Sequence, residues 1–179
     1  MRITLQRKTG KWTLSEMDEF YLALLRQAAA DVSYGQSPEG RARLFPPPLN
    51  ENDAILEEDF LDDWKEFVVD EMEDQFTSDV RTLRSDLEKA KPHRKNEGEA
   101  IAQQRLTVPL AHAPAWFSAL NQARLMLDAR YKFHDEQNDF VPEPENKSLD
   151  EEALQTRFTA YQRYEFFSVI QEWIVRHAL

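Results

Sequence analysis

Residues Pro114 to Tyr131 carry the clearest helical pattern of this chain, and that pattern constrains the fold more than any other feature. Proline at position 114 suits the first turn of a helix, because its missing N–H has no partner to lose there and its φ angle is already helical. The apolar side chains that follow recur at helical spacing: Trp116, Leu120, Ala123, Leu127 and Tyr131. The segment therefore predicts a long helix with one buried face.

The composition of the whole chain also favours helices. Only four of the 179 residues are glycine, and 41% are hydrophobic. The long segments that lack glycine and proline are rich in residues of high helix propensity. A chain of this length and apolar content fits one domain around one sizeable core. We therefore expect a single domain, residues 1–179, with an all-α fold: a helical bundle of four to five helices with a short N-terminal strand or hairpin at residues 1–12.

Capping patterns and helix breakers place the other helices and the connections. A capping-box pattern at residues 13–16, with Trp12 and Met17 placed as a hydrophobic staple, predicts a helix that runs to about Ser33. A second capping box at residues 148–151 predicts a last helix that runs almost to the C-terminus. Between the helices we expect a proline-rich loop and two polar linkers, at residues 34–50, 92–105 and 132–147.

From Asp53 to about Lys91 the chain is predicted to be helical again, with an apolar side and an acidic side. The apolar side begins with Phe60, Trp64, Phe67, Val68, Met72 and Phe76. The acidic side contains Asp59, Asp63, Glu66, Asp70 and Glu73. A metal ligand in a bundle must point inward, whereas these carboxylates point away from the apolar side. We interpret them as a solvated face rather than a metal site.

The charge distribution and the missing cysteine exclude several classes of function. The formal net charge is −11, and residues 51–79 hold thirteen acidic residues against one basic residue, Lys65. A general affinity for nucleic acid or anionic membrane needs a basic surface, so we expect neither partner. Without cysteine there is no disulfide, thiolate metal ligand or cysteine nucleophile. Because no run of 18 apolar residues occurs, we expect a cytoplasmic protein.

Five polar side chains stand in two of the most apolar helices and form the candidate binding or structural network: Asn121, Arg124, Arg130, Gln171 and Glu172. A guanidinium near a core requires a carboxylate. The favoured partner of Arg124 is therefore Glu172 on the last helix, and the alternative is Asp128 four residues along the same helix. Such networks commonly fix helix register, which favours a structural use over a ligand pocket.

The proline-rich loop has one apolar and basic element, which is Arg43, Leu44, Phe45 and Pro46. Buried anchors are ordinary in long loops, so we interpret this element as a loop anchor in which Leu44 and Phe45 pack on the bundle. A partner-docking motif is the alternative interpretation.

Three sets of residues give the chain a resemblance to a known family. They are the run Arg43-Leu44-Phe45-Pro46, the helix with Trp116, Leu120-Asn121, Arg124-Leu125-Met126-Leu127 and Arg130, and the last helix with Tyr164 and Gln171-Glu172. In their order and separation the chain resembles the uncharacterised bacterial family called domain of unknown function number two thousand and seventeen. The resemblance implies an α-helical fold and a frequent genomic setting beside the adaptor of the Clp protease. It implies no established activity, and Asp128 stands where the family often has glycine.

The function that we expect is that of a non-enzymatic, cytoplasmic interaction or regulatory protein, associated through the family resemblance with the adaptor of the Clp protease. The broad apolar stripe of the last helix predicts a homodimer through that helix. No catalytic residue, metal or cofactor is assigned. The alternative is a metal-dependent, all-α nucleotide hydrolase that uses the acidic helix at residues 53–79.

Overall fold

The computed structural model describes residues 1–46, 63–93, 103–133 and 151–179. Nine elements lie in these ranges: β1 (Arg2–Gln6), β2 (Lys11–Met17), α1 (Glu19–Val32), α2 (Pro38–Leu44), α3 (Asp70–Leu87), β3 (Lys91–His93), β4 (Gln103–Pro109), α4 (Ala113–Tyr131) and α5 (Glu151–His177). The predicted helices at the N-terminal, acidic, central and C-terminal segments are therefore present as α1, α3, α4 and α5.

A four-stranded antiparallel sheet accompanies the helices, so the all-α prediction is right for most of the chain and wrong for this sheet. The strand order is β1-β2-β4-β3, and the predicted N-terminal hairpin forms one half of it. The central pair aligns Trp12 with Val108 and Leu14 with Leu106, and all four side chains are buried in the helical core. The sheet therefore closes one side of a core that the helices share.

The predicted helix start at residues 13–16 is wrong, because these residues belong to β2. Pairing with β4 and burial of Leu14 outweigh the local capping pattern in this segment. The strand ends in an irregularity, where Glu16 has a φ of 55° and Met17 returns to the core. Asp18 is the actual cap of α1, and its Oδ1 accepts a hydrogen bond of 3.0 Å from the Tyr21 backbone N–H.

The linker prediction at residues 92–105 is also wrong at both ends. Residues 91–93 form β3 and residues 103–109 form β4, and the two strands pair with each other. The polar composition of this segment does not indicate its two strands. β3 lies at the edge of the sheet, and β4 exposes one of its faces. Residues 94–102, like most of the predicted linker at residues 132–147, lie outside the described residues.

The predicted loop at residues 34–50 contains a helix in its described part, which is α2. Pro38 does not end a helix here but begins one, because Ser37 caps it by accepting a 3.0 Å hydrogen bond from the Gly40 backbone N–H. Gly40 also permits a close approach of two backbones. A Cβ atom at that position would lie 2.2 Å from the carbonyl oxygen of Tyr34.

Replacing Gly40 by alanine is expected to lower the free energy of unfolding by about 2 kcal/mol, in the range found for overpacked sites. The atom that a methyl group would strike is a backbone oxygen, so no side chain can rotate away. Urea denaturation followed by circular dichroism measures the change. Glu39→Ala, at an exposed position one residue earlier, is the matched control and should stay within about 0.5 kcal/mol of wild type. Equal stabilities for Gly40→Ala and wild type would contradict this account.

A π-helical turn at Trp64–Val69 precedes α3 and changes which side chains face the core. A turn of this kind contains an extra residue, so the side chains before it are out of phase with those after it. Phe67, predicted on the apolar side, is 64% exposed, whereas Val69 is buried. The prediction for Phe67 is therefore wrong. On the acidic side, Asp63, Glu66 and Asp70 are exposed as predicted.

Candidate functional site

A cavity of about 420 Å³ lies between α4 and α5 and contains most of the predicted polar network. Its polar lining consists of Asn121, Arg124, Ser168, Gln171, Glu172 and Arg176. The residues from each helix are three or four positions apart, so they share the side on which the two helices face each other. Four of the five predicted network residues therefore line one site, which we call the α4–α5 cavity.

Arg124 is held in this cavity by two side chains of α5. Its Nη1 donates a 2.7 Å hydrogen bond to Gln171 Oε1, and its Nη2 donates a 2.9 Å hydrogen bond to Tyr164 Oη. The centre of the guanidinium is also 4.5 Å from the centroid of the Tyr164 ring. Gln171 is only 4% exposed and donates its own amide N–H to the carbonyl oxygen of Phe117 at 3.0 Å. These contacts fix the position of the guanidinium.

Both expected ion pairs of Arg124 are wrong. Glu172 pairs instead with Arg176 one turn further along α5, and Asp128 lies 3.4 Å from Arg43. The physical reason is helical phase, since Gln171 takes the inward position and the next residue is rotated by about 100° towards solvent. The side chain of Glu172 is accordingly 60% exposed. Arg124 thus has neutral acceptors where the sequence predicted a carboxylate.

Arg130, the fifth predicted residue, lies outside the cavity. Its guanidinium centre is 5.3 Å from the ring centroid of Tyr131 and 5.9 Å from that of Tyr34. Arg130 is exposed at the C-terminal end of α4, where a cation also interacts favourably with the helix dipole. The structure therefore separates Arg130 from the other four residues.

The residues of the predicted loop anchor form the end of α2 and the two positions after it, and they contact α3 and α4. Leu44 is buried, and the Phe45 ring stacks on Phe76 with 5.6 Å between the ring centroids. Arg43 reaches Asp128 of α4, while Pro46 is exposed. A second cavity of about 370 Å³ lies beside Leu44 and Phe45, between α1, α2 and α3. The anchor residues thus tie the end of α2 to the bundle and form one wall of this cavity.

A buried carboxylate that the sequence reasoning missed connects α3 to the start of α4. Asp86 is fully buried, and its Oδ2 lies 2.8 Å from His112 Nδ1 and 3.0 Å from Trp116 Nε1. Its Oδ1 accepts a 2.9 Å hydrogen bond from Lys89. One signal was available, because Asp86 lies between Leu83 and Leu87 on the apolar side of its helix. Nothing in the sequence, however, points to the partners on α4.

The pKa of Asp86 reflects this setting. Burial acts to raise the pKa, but the hydrogen bonds from His112, Lys89 and Trp116 outweigh burial and hold the pKa below its ordinary value. The carboxylate is therefore ionised at neutral pH and accepts from three donors. It joins two helices through the most buried charge of the described chain.

The pair of Asp86 and His112 is not joined by a third potential metal ligand in the described part of the chain. Within those ranges, no group of three or more histidine, aspartate or glutamate residues is placed to hold a metal ion. Residues 53–62 of the predicted acidic helix lie outside the described residues. Among the helices that the structure describes, none combines the length and apolarity needed to cross a bilayer.

Comparison with known proteins gives one match. A family model described as Domain of unknown function (DUF2017) matches residues 2–178. No curated protein and no solved structure matches the chain significantly.

Proposed function

We propose that this chain, which belongs to the family Domain of unknown function (DUF2017), is a non-enzymatic interaction or regulatory protein of the cytoplasm. The observation that carries the proposal is the apolar surface of α5. Val169 and Val175 are each 54% exposed, and Leu154 is 44% exposed. The first six residues of the helix, 151–156, are all exposed. Exposed apolar side chains grouped along one helix mark a surface for another protein.

The partner that this surface fits first is a second copy of the chain. A helix of 27 residues is about 40 Å long, and a two-fold axis across it would bury the same exposed apolar residues on both copies. The charged side chains Glu172 and Arg176 stand among the apolar ones and already pair with each other along α5, so the second copy need not neutralise them. The homodimer through α5 is therefore part of the proposal.

The second partner is the adaptor of the Clp protease. Its support is the genomic setting that the family resemblance implies, together with the exposed surface of α5. A regulatory protein of this kind would bind the adaptor and change its delivery of substrates. Titration of the purified adaptor into the purified protein, followed by calorimetry, tests this part directly. If no binding is detected at an adaptor concentration about 100 times a typical micromolar dissociation constant, the adaptor is removed from the proposal.

Light scattering at micromolar concentration is expected to give twice the mass of one chain. The double variant Val169→Glu, Val175→Glu should raise the dimer dissociation constant at least about tenfold, because it places charges in an apolar contact. Phe67→Glu removes an equally exposed apolar side chain away from α5 and should leave the mass unchanged. A wild-type protein with the mass of a single chain would refute the dimer.

A further inference from the structure

We propose that the α4–α5 cavity binds a carboxylate group, with the guanidinium of Arg124 as its cationic partner. This inference concerns a ligand site that shares Val175, Glu172 and Arg176 with the surface proposed on α5, and its test is the chemical shift of Arg124 rather than the oligomeric state. It begins from a cation that is fixed in place beside an open cavity. In the described chain, that cation lies within 4 Å of no carboxylate oxygen.

The hydrogen-bonding capacity of Arg124 is largely unused. A guanidinium has five N–H donors, and within the described residues only two of them have an acceptor. Its Nε is buried and has no partner there. Removing a cation partly from water costs free energy, and contact with an anion offsets that cost. A carboxylate in the cavity would supply the missing charge and acceptors.

The site is organised in advance of any ligand. Gln171 and Tyr164 hold the guanidinium by its two terminal nitrogens, and Gln171 is itself fixed by the carbonyl oxygen of Phe117. A ligand therefore does not have to order a flexible arginine side chain, which would otherwise cost conformational entropy.

The charges of the lining select a monovalent anion. Arg124 and Arg176 contribute two positive charges and Glu172 one negative charge, so the lining carries a net charge of +1. A carboxylate matches both this charge and the planar fork of arginine. A phosphate dianion would leave negative charge beside Glu172, in a protein whose net charge is already −11.

The other lining residues suit an organic acid. The amide of Asn121 has no hydrogen-bond partner among the described residues and can donate to a carboxylate oxygen. Phe117 and Val175 offer apolar contact to the body of the ligand. Two sources share this chemistry: a free small carboxylic acid, and the carboxylate of a peptide from another protein.

Nuclear magnetic resonance of the arginine side chains tests the proposal on the wild-type protein. The Nε–Hε signal of Arg124 is identified by its loss in Arg124→Lys. Propionate is then added at constant ionic strength, with chloride as the control anion. In a second arm, a short peptide with a free C-terminal carboxylate is compared with the same peptide as its amide. We expect a saturable shift of the Arg124 signal with propionate or the acid peptide, and none with chloride or the amide.

The variants complete the test. Arg124→Gln should weaken binding at least tenfold, and Arg130→Gln on the same helix is the matched control and should leave binding unchanged. Asn121→Ala keeps the cation and should weaken binding about threefold, so the proposal remains testable even where Arg124→Gln fails to fold. Tighter binding of the peptide than of propionate identifies a chain terminus as the source, and the reverse identifies a free acid. An Arg124 signal that moves with neither probe, or equally with chloride, overturns the proposal.

Discussion

Asp86→Ala is expected to lower the free energy of unfolding by about 3 to 5 kcal/mol, because it removes a buried charge that three donors hold. The substitution leaves the indole N–H of Trp116 buried without an acceptor and removes the contact with His112. Asp86→Asn keeps the shape and one acceptor oxygen, so it should cost about half as much. Asp74→Ala, at an exposed acid of the same helix, is the matched control. Urea denaturation at pH 7 ranks the three variants, and an Asp86→Ala protein as stable as the control would contradict the role of this carboxylate.

The same carboxylate gives the stability a defined pH dependence. The pKa of Asp86 is lower in the folded protein than its ordinary value of 3.8, because the three hydrogen bonds outweigh burial. Between these two pKa values the unfolded chain binds more protons than the folded chain. The stabilisation is therefore complete above the ordinary pKa and is lost as the pH falls through the folded pKa. Wild type and Asp86→Asn should differ most at neutral pH and converge in acid, and a constant difference would contradict this.

Trp12→Ala is expected to lower the free energy of unfolding by about 3 to 5 kcal/mol, through lost burial and the cavity left behind. Trp12 is fully buried in β2, with its ring 5.0 Å from that of Trp116 and 5.5 Å from that of Trp173. It thus joins the sheet to α4 and α5. Circular dichroism during urea unfolding is the suitable measurement, because the substitution alters tryptophan fluorescence directly.

Trp12→Phe is the control for this second substitution. Trp12 Nε1 is buried and has no hydrogen-bond partner among the described residues, so the exchange removes an unpaired donor while it keeps an aromatic ring. We expect a loss of about 1 kcal/mol, well below that of Trp12→Ala. Equal losses for the two variants would mean that the hydrogen-bonding group, not the ring, determines the stability at this position.

Local patterns predicted the long helices well and non-local pairing poorly. The helix predicted from Pro114 to Tyr131 begins one residue earlier, at Ala113, and the last helix runs to His177, almost to the C-terminus as predicted. The pairing of β2 with β4 joins residues that are far apart in sequence, and no local pattern reports such a pairing. For the same reason the capping pattern at residues 13–16 was misleading. Its sequence looks like a true helix start, and only the pairing of this segment with β4 shows that it is a strand.

Four of the five residues of the predicted polar network line one cavity, Arg130 does not, and the predicted contacts of Arg124 are wrong. Arg124 and Gln171 were grouped in one polar network from the sequence, and the structure brings them together. Glu172 directly follows Gln171 in the sequence. One step along a helix turns the side chain to another side, so Gln171 points inward whereas Glu172 is exposed. A sequence does not fix the rotation of two helices about their axes to that precision. Asp86 was missed because its partners, His112 and Trp116, become neighbours only through tertiary packing.

The alignment of Trp12 with Val108 has a consequence for how the chain is made. The first two strands leave the ribosome early, whereas their partner strand β4 is synthesised only after α1, α2 and α3 have followed. Until then the hairpin presents a large indole and an open strand edge to the cell, a state prone to aggregation. Pairing β2 with β4 closes a long loop of chain, which costs conformational entropy and slows folding. Nascent chains stalled before residue 103 should therefore depend on chaperones, and full-length chains should not.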